Sequence, residues 1–221
     1  MLQISQQIAK MHELPQILVE LQEFWQNEQN RRKEFYDWVT PDMKVEFIEG
    51  EIVVHSPVRR KHNAITSDLA ELLRVYTRQT VRGFVGVEKI MCRFTRNDYE
   101  PDICYFDATQ DAEISDEQTI FPVPRFIIEV TSTSTEYRDR GVKLKDFEAH
   151  GVLEYWIIDP NIEQIEQYIL IDNKYELQGV FSTETIESRA ITDLRLPVRA
   201  IFDKAVFAKT IADFYNSKSN K

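Results

Sequence analysis

The chain has 221 residues, with 27 Lys or Arg against 37 Asp or Glu and a formal net charge of −10. Hydrophobic residues at 43% and charged residues at 29% suit a globular protein, and six glycines with eight prolines exclude collagen-like and low-complexity classes. The acidity argues against a nonspecific nucleic-acid coat, which needs dense Lys and Arg contacts to phosphate. Apolar runs such as 126–128 and 155–158 are far too short to span a bilayer, so no membrane partner is expected. The first fifteen residues lack the apolar stretch of a signal peptide. Cys92 and Cys104, each inside a strand-like run, suggest reduced thiols and a cytoplasmic protein.

Along the chain, 13–39 carries Ile17, Leu18, Leu21, Phe24 and Trp25 at helical spacing, which predicts one or two amphipathic helices outside the main sheet. Thr40-Pro41-Asp42 breaks that pattern. In 45–57, Glu49-Gly50 between two β-rich runs predicts a tight hairpin. A helix follows over 62–78, with Ile65, Leu69, Leu72, Leu73 and Tyr76 on one face. Three strands are expected next, over 83–94, 100–108 and 125–132, with Asn97-Asp98 as a turn and an exposed acidic loop before the third. Residues 138–150 read as a helix ended by Gly151, and 153–159 as a buried strand stopped by Pro160. A second hairpin turns at Asp172-Asn173, a short strand lies near 194–196, and a helix runs from 203 to 215 with a frayed tail.

No repeat or biased linker divides the chain. Three segments are expected: an N-terminal helical extension over 1–39 packed on the core, a main domain over 40–205, and a C-terminal helix and tail over 206–221. The element order predicts an α/β (α+β) fold, a mixed central sheet flanked by helices with added β-hairpins.

The chemistry concentrates between Glu100 and Pro160. Asp102 follows a proline at the start of one strand, and Glu129 lies within the apolar run Phe126-Ile127-Ile128-Glu129-Val130. A carboxylate there must be paired, protonated or bound to a cation. Taken alone, it is more often half of a structural ion pair. Two acids on adjacent strands can also converge on one divalent metal, for which hard cations such as Mg²⁺ suit. A nearby lysine would orient a nucleophilic water and offset charge on a phosphate. Lys143 and Lys145 are candidates; two residues apart on a helix, they point to nearly opposite sides.

These residues form part of an ordered set: Pro101-Asp102, Ile128-Glu129-Val130-Thr131-Ser132, Asp139-Arg140-Gly141-Val142-Lys143 and Gly151-Val152-Leu153-Glu154-Tyr155-Trp156. Upstream stand Val45-Glu46-Phe47-Ile48-Glu49-Gly50-Glu51 and His62. Over roughly 40–205 the chain resembles the Uma-type restriction-endonuclease family of the PD-(D/E)XK nuclease superfamily. The resemblance implies a restriction-endonuclease-like core, Mg²⁺ or Mn²⁺ held by Asp102 and Glu129, and Lys143 as the catalytic lysine. In the superfamily pattern the lysine stands two residues after the second acid, where this chain has Thr131. The resemblance moves that role to Lys143, with Lys145 ranked second.

Glu46, Glu51 and His62 are accessory candidates, as an extra carboxylate near the metal or a proton-handling imidazole. Their alternative roles are a solvated hairpin and a helix start. His55 and His150 are given no role, and the basic run Arg59-Arg60-Lys61 can meet phosphates or simply be solvated. The leading function is metal-dependent endonuclease hydrolysis of phosphodiester bonds in nucleic acid, DNA before RNA, by a homodimer. The alternative is a catalytically silent nuclease fold used for binding or regulation.

Overall fold

The strand-like runs bury alternate residues on opposite faces, and 60–80 buries one residue in three or four, so sheets form with helices laid against them. The computed structural model describes residues 2–80 and 82–216. Helices α1 (Leu2–Ile8) and α2 (Leu14–Trp38) precede the hairpin strands β1 (Val45–Ile48) and β2 (Glu51–Val54), then α3 (Arg60–Thr80). Strands β3 (Phe84–Val87), β4 (Met91–Arg93), β5 (Asp98–Tyr99) and β6 (Ile103–Phe106) follow. Next come α4 (Ala108–Asp111), β7 (Ile120–Phe121) and β8 (Phe126–Val130). A segmented helix contains α5 (Glu136–Arg138), a π-helical turn over Asp139–Lys143, and α6 (Leu144–Ala149). The chain continues through β9 (Glu154–Asp159), the hairpin β10 (Gln164–Ile171) and β11 (Lys174–Phe181), then β12 (Thr185–Glu187), β13 (Arg195–Pro197) and α7 (Lys204–Asn216).

The main sheet has the order β11-β10-β9-β8-β6-β3. Its β8–β9 pair is parallel and joined through the segmented helix; the other pairs are antiparallel. Parity sorts its two faces. Ile103, Tyr105, Phe126, Ile128, Trp156 and Ile158 pack under α3, whose Leu69, Leu72 and Leu73 are fully buried. Cys104, Phe106, Ile127, Tyr155 and Ile157 face the other way, onto Phe94, Tyr99 and Phe147. By the same parity Asp102 and Glu129 belong to this second face. A second sheet, ordered β2-β1-β5-β4-β7, covers that side.

The architecture is the mixed α/β fold expected, with several local differences. The strand expected over 83–94 breaks at Glu88 and Lys89, both left-handed (φ 46° and 43°), and the chain passes there from the main sheet to the second. Asp98 is not a turn residue: it sits in β5 opposite Phe47, and the reversal falls one step earlier, where the Phe94 N–H donates to the Asn97 carbonyl. The acidic loop contains α4, whose N-terminus the Asp107 side chain caps by accepting from the Thr109 and Gln110 N–H groups.

In α2 the apolar positions at helical spacing, Leu18, Leu21, Phe24 and Trp25, are exposed. The residues it buries are Glu28, Arg32 and Phe35. Arg32 donates to both Asp98 carboxylate oxygens (2.6 and 2.8 Å) and to the carbonyls of Phe94, Thr95 and Asn97. The frayed tail expected at 217–221 lies outside the described residues. Both hairpins turn as their sequences require, with Glu49-Gly50 at φ 50° and 86° and Asp172-Asn173 at 49° and 63°.

Candidate active site

Antiparallel pairing of β6 with β8 sets Ile103 opposite Ile128, and continuing that register by one step sets Asp102 opposite Glu129. Cross-strand neighbours lie about 4.5–5.5 Å apart at Cβ, so the two carboxyls share one end of the sheet. Asp102 Oδ2 accepts from the Val130 N–H at 2.9 Å, which fixes the aspartate against β8.

The helix after β8 delivers the lysine. Its π-helical turn turns both Asp139 and Lys143 inward, and both are buried. Such turns distort the helix where function calls for it. Lys143 Nζ donates to Glu129 Oε1 at 2.7 Å and lies 2.9 Å from Glu46 Oε1 and 3.8 Å from Asp139 Oδ1. Tyr99 presents its ring to the ammonium at 5.6 Å.

Glu46 reaches this cluster from β1 in the other sheet. Its Oε1 also accepts from the Glu100 N–H, and His55 Nε2 lies 3.0 Å from its Oε2. On the opposite flank, Lys44 Nζ donates to Asp102 Oδ1 at 2.7 Å, and His62 Nε2 stands 3.1 Å from Asp102 Oδ2. A cleft of about 420 Å³ opens over these groups, with Arg59, Lys61 and Arg138 among its other lining residues.

Charge divides unevenly among the acids. Burial works against each carboxylate. At Asp102 that penalty is outweighed by His62 and Lys44, which hold the carboxyl well below its ordinary range. At Glu46, Lys143 and His55 bring it down to about 2. Glu129 goes the other way: burial and the charges of Asp102, Asp139 and Glu46 raise it, against the pull of Lys143. Glu100, raised to about 7 chiefly by burial, accepts from the Val45 N–H. Five acids, Glu46, Glu100, Asp102, Glu129 and Asp139, thus gather around two lysines and two histidines, and burial raises three of the five toward the neutral form.

The donor set is the test for a divalent ion. No group of three or more His, Cys, Asp or Glu side chains in ligand arrangement occurs among the described residues. Two opposed carboxyl groups that open on a cleft nevertheless suit a hard cation that keeps several of its waters. Asp102 and Glu129 fit that role.

Five residues singled out from the sequence come together here: Asp102, Glu129, Lys143, Glu46 and His62. Glu51 and Lys145 do not. Glu51 lies at the far end of the β1–β2 hairpin, exposed and 3.4 Å from Arg31, and Lys145 points outward because Lys143 takes the inner side of the same turn. The sequence reading missed Lys44, His55, Glu100 and Asp139. His55, passed over as a hairpin residue, pairs with Glu46 across β1 and β2. Asp139 carried one usable signal, its i−4 spacing to Lys143. Lys44 carried none.

A family model described as "Uma2: Putative restriction endonuclease" matches residues 32–199. The chain belongs to the Uma2 family. The match starts earlier and stops earlier than the 40–205 stretch that the motifs suggested, and its first residue is the buried Arg32. A crystal structure titled as a putative nuclease belonging to DUF820, from Anabaena variabilis ATCC 29413, superposes with a TM-score of 0.66 at 21% identity. The superposition covers 77% of this chain and 96% of that one, and shares the fold. The type IIG restriction endonuclease BpuSI aligns over 74% of this chain and 18% of its own, at 16% identity and a TM-score of 0.38. That similarity is too low to carry an argument. No curated protein matches the sequence. Family and fold together support a nuclease. Among the described residues, no helix of this Uma2-family protein is long and apolar enough to cross a membrane.

Proposed function

We propose that this chain is a metal-dependent endonuclease that hydrolyses phosphodiester bonds in DNA, acting in the cytoplasm. The observation that carries the reading is the opposed pair Asp102 and Glu129 at the mouth of a cleft, with Lys143 donating to Glu129. Asp102 and Glu129 would hold Mg²⁺ or Mn²⁺, which would supply Lewis-acid stabilisation of phosphate charge and a more acidic water. The chain's own groups do the rest. Lys143 orients the attacking water from the Glu129 side. Glu46 and Asp139 hold that lysine charged and in place. His62 and the Val130 N–H fix the Asp102 carboxylate. His55 does the same for Glu46.

The reading extends to a homodimer, since cutting both strands of a duplex suits two copies and the exposed Leu18, Leu21, Phe24 and Trp25 offer an apolar face. Sedimentation analysis tests that part. A second reading, a nuclease fold kept for binding, draws on the engagement of both Asp102 oxygens by protein groups.

The test is cleavage of supercoiled plasmid, single-stranded DNA and RNA with Mg²⁺ or Mn²⁺, comparing wild type with Asp102→Ala, Glu129→Ala and Lys143→Ala. Plasmid nicking should fall by about 10²-fold or more in each variant. Cutting that persists unchanged in all three would remove the assignment, and wild type inert on every substrate would leave the binding reading.

A further inference from the structure

Two lysines serve this site, and their surroundings differ. Lys143 has a side chain 4% exposed and three carboxylates within 4 Å: Glu129, Glu46 and Asp139. Its charge is matched several times over and faces inward. Lys44 is 15% exposed and has one close carboxylate partner, Asp102 Oδ1, at 2.7 Å. It lies just before β1, on the wall shared by the main cleft and a second, more open hollow that also holds Arg60 and Lys89. A polyanion entering over His55, Ser56 and Pro57 would meet Lys44 before it met Lys143.

The Asp102 oxygen that Lys44 holds belongs to the residue proposed to ligate the metal. That oxygen can serve the ammonium or a divalent ion, but not both at full strength, because two cations on one carboxylate oxygen repel each other. An ammonium released from Asp102 stays in the cleft on its own tether, four methylenes long and strongly attracted to any anion placed there.

We propose that Lys44, rather than Lys143, is the cation that binds the substrate phosphate, and that its ion pair with Asp102 couples metal binding to phosphate binding. This rests on the nuclease reading above. In the metal-free protein Lys44 is the built-in counter-ion of Asp102. Once Asp102 is engaged elsewhere, Lys44 is free to take a phosphate oxygen. Metal thereby raises affinity for nucleic acid through a residue that does not touch the metal.

Three variants test it: Lys44→Met, Lys44→Arg and Lys143→Met, each checked for folding by circular dichroism. Asp102 keeps His62 and the Val130 N–H when Lys44 is removed, so Lys44→Met should fold. Mn²⁺ binding without nucleic acid is measured by calorimetry. Lys44→Met should bind Mn²⁺ roughly three- to tenfold more tightly than wild type, because a competing cation is gone, and Lys44→Arg should match wild type. A labelled 20-base-pair duplex is then titrated by anisotropy with Ca²⁺ replacing Mg²⁺. Lys44→Met should lower the slope of log Kd against log salt by about one contact, and a folded Lys143→Met should not. In EDTA the Lys44→Met and wild-type affinities should agree within about twofold, since Lys44 is then paired with Asp102.

Unchanged or weaker Mn²⁺ binding by Lys44→Met, or an unchanged salt slope, would overturn the role of Lys44 while leaving the nuclease reading intact. Wild type that binds neither Mn²⁺ nor duplex would overturn both. If Lys143→Met does not fold, the Lys44 measurements decide the question alone.

Discussion

Arg32 on α2 is the strongest mechanical link between the N-terminal helix and the sheet that carries Glu46. Replacing it with Met keeps the length of the aliphatic stem but removes five hydrogen bonds, two of them to the Asp98 carboxylate. Asp98 is fully buried and would keep only the Tyr36 hydroxyl as a side-chain partner, at 2.6 Å. Removing one member of a buried ion pair costs about 3–5 kcal/mol, most of it from the charge left behind. For a chain of this size that is a fall in Tm of about 6–20 °C. Urea and thermal unfolding followed by circular dichroism measure it. The double variant Arg32→Met/Asp98→Asn, in which the stranded charge is gone, should recover part of the loss. Hydrogen exchange should accelerate first in β1 and β5, which pair at Phe47 and Asp98. A loss below about 1 kcal/mol, or a double variant less stable than the single, would refute the argument that stranded charge dominates.

Glu154, buried in β9, accepts from Trp156 Nε1, Gln167 Nε2, Ser188 Oγ and the N–H groups of Arg189 and Ala190. Glu154→Gln turns a donor group toward donors and should cost about 2–4 kcal/mol in urea unfolding. An isostable variant would show that the five donors do not depend on the carboxylate. Gly83 has φ +67°, and a Cβ there would stand 2.0 Å from the Phe106 carbonyl oxygen. Gly83→Ala should lower Tm by several degrees, consistent with about 2 kcal/mol or more of strain. Burial raises the phenols of Tyr36, Tyr76, Tyr99, Tyr105, Tyr155, Tyr168 and Tyr175, Tyr168 to about 12. Above pH 10 the folded chain then holds protons that the unfolded chain has lost, so stability falls as pH rises. Absorbance at 295 nm from these seven should rise together with loss of the circular dichroism signal; seven phenolates in a folded protein at pH 10 would contradict it.

Strand parity and helical spacing made much of this fold legible. Leu69, Leu72 and Leu73 marked the packed face of α3, and the Glu49-Gly50 and Asp172-Asn173 turns set both hairpins. Hydrophobic patterning failed where polar groups do the packing. Glu28 and Arg32 bury in α2 through ion pairs, which an apolar scan reads as solvent-facing. The break at Glu88-Lys89 was invisible because neither residue favours a left-handed backbone. For the site, a carboxylate inside an apolar strand and an aspartate after proline stood out locally. Lys44 did not, because its partner Asp102 is distant in sequence and meets it only when the second sheet folds over the first, and His55 did not, because a histidine beside a short hairpin is ordinary until its pairing with Glu46 is seen.

Lys143 draws its partners from both sheets, Glu129 from the main one and Glu46 from the other. An ammonium so deeply enclosed needs such carboxylates around it. A half-assembled chain, with β1 and β2 not yet docked, would leave Lys143 with Glu129 and Asp139 but open to water and without Glu46. The residue proposed for chemistry in the finished protein thus also serves as a polar rivet between the two sheets, closed only when β1 docks.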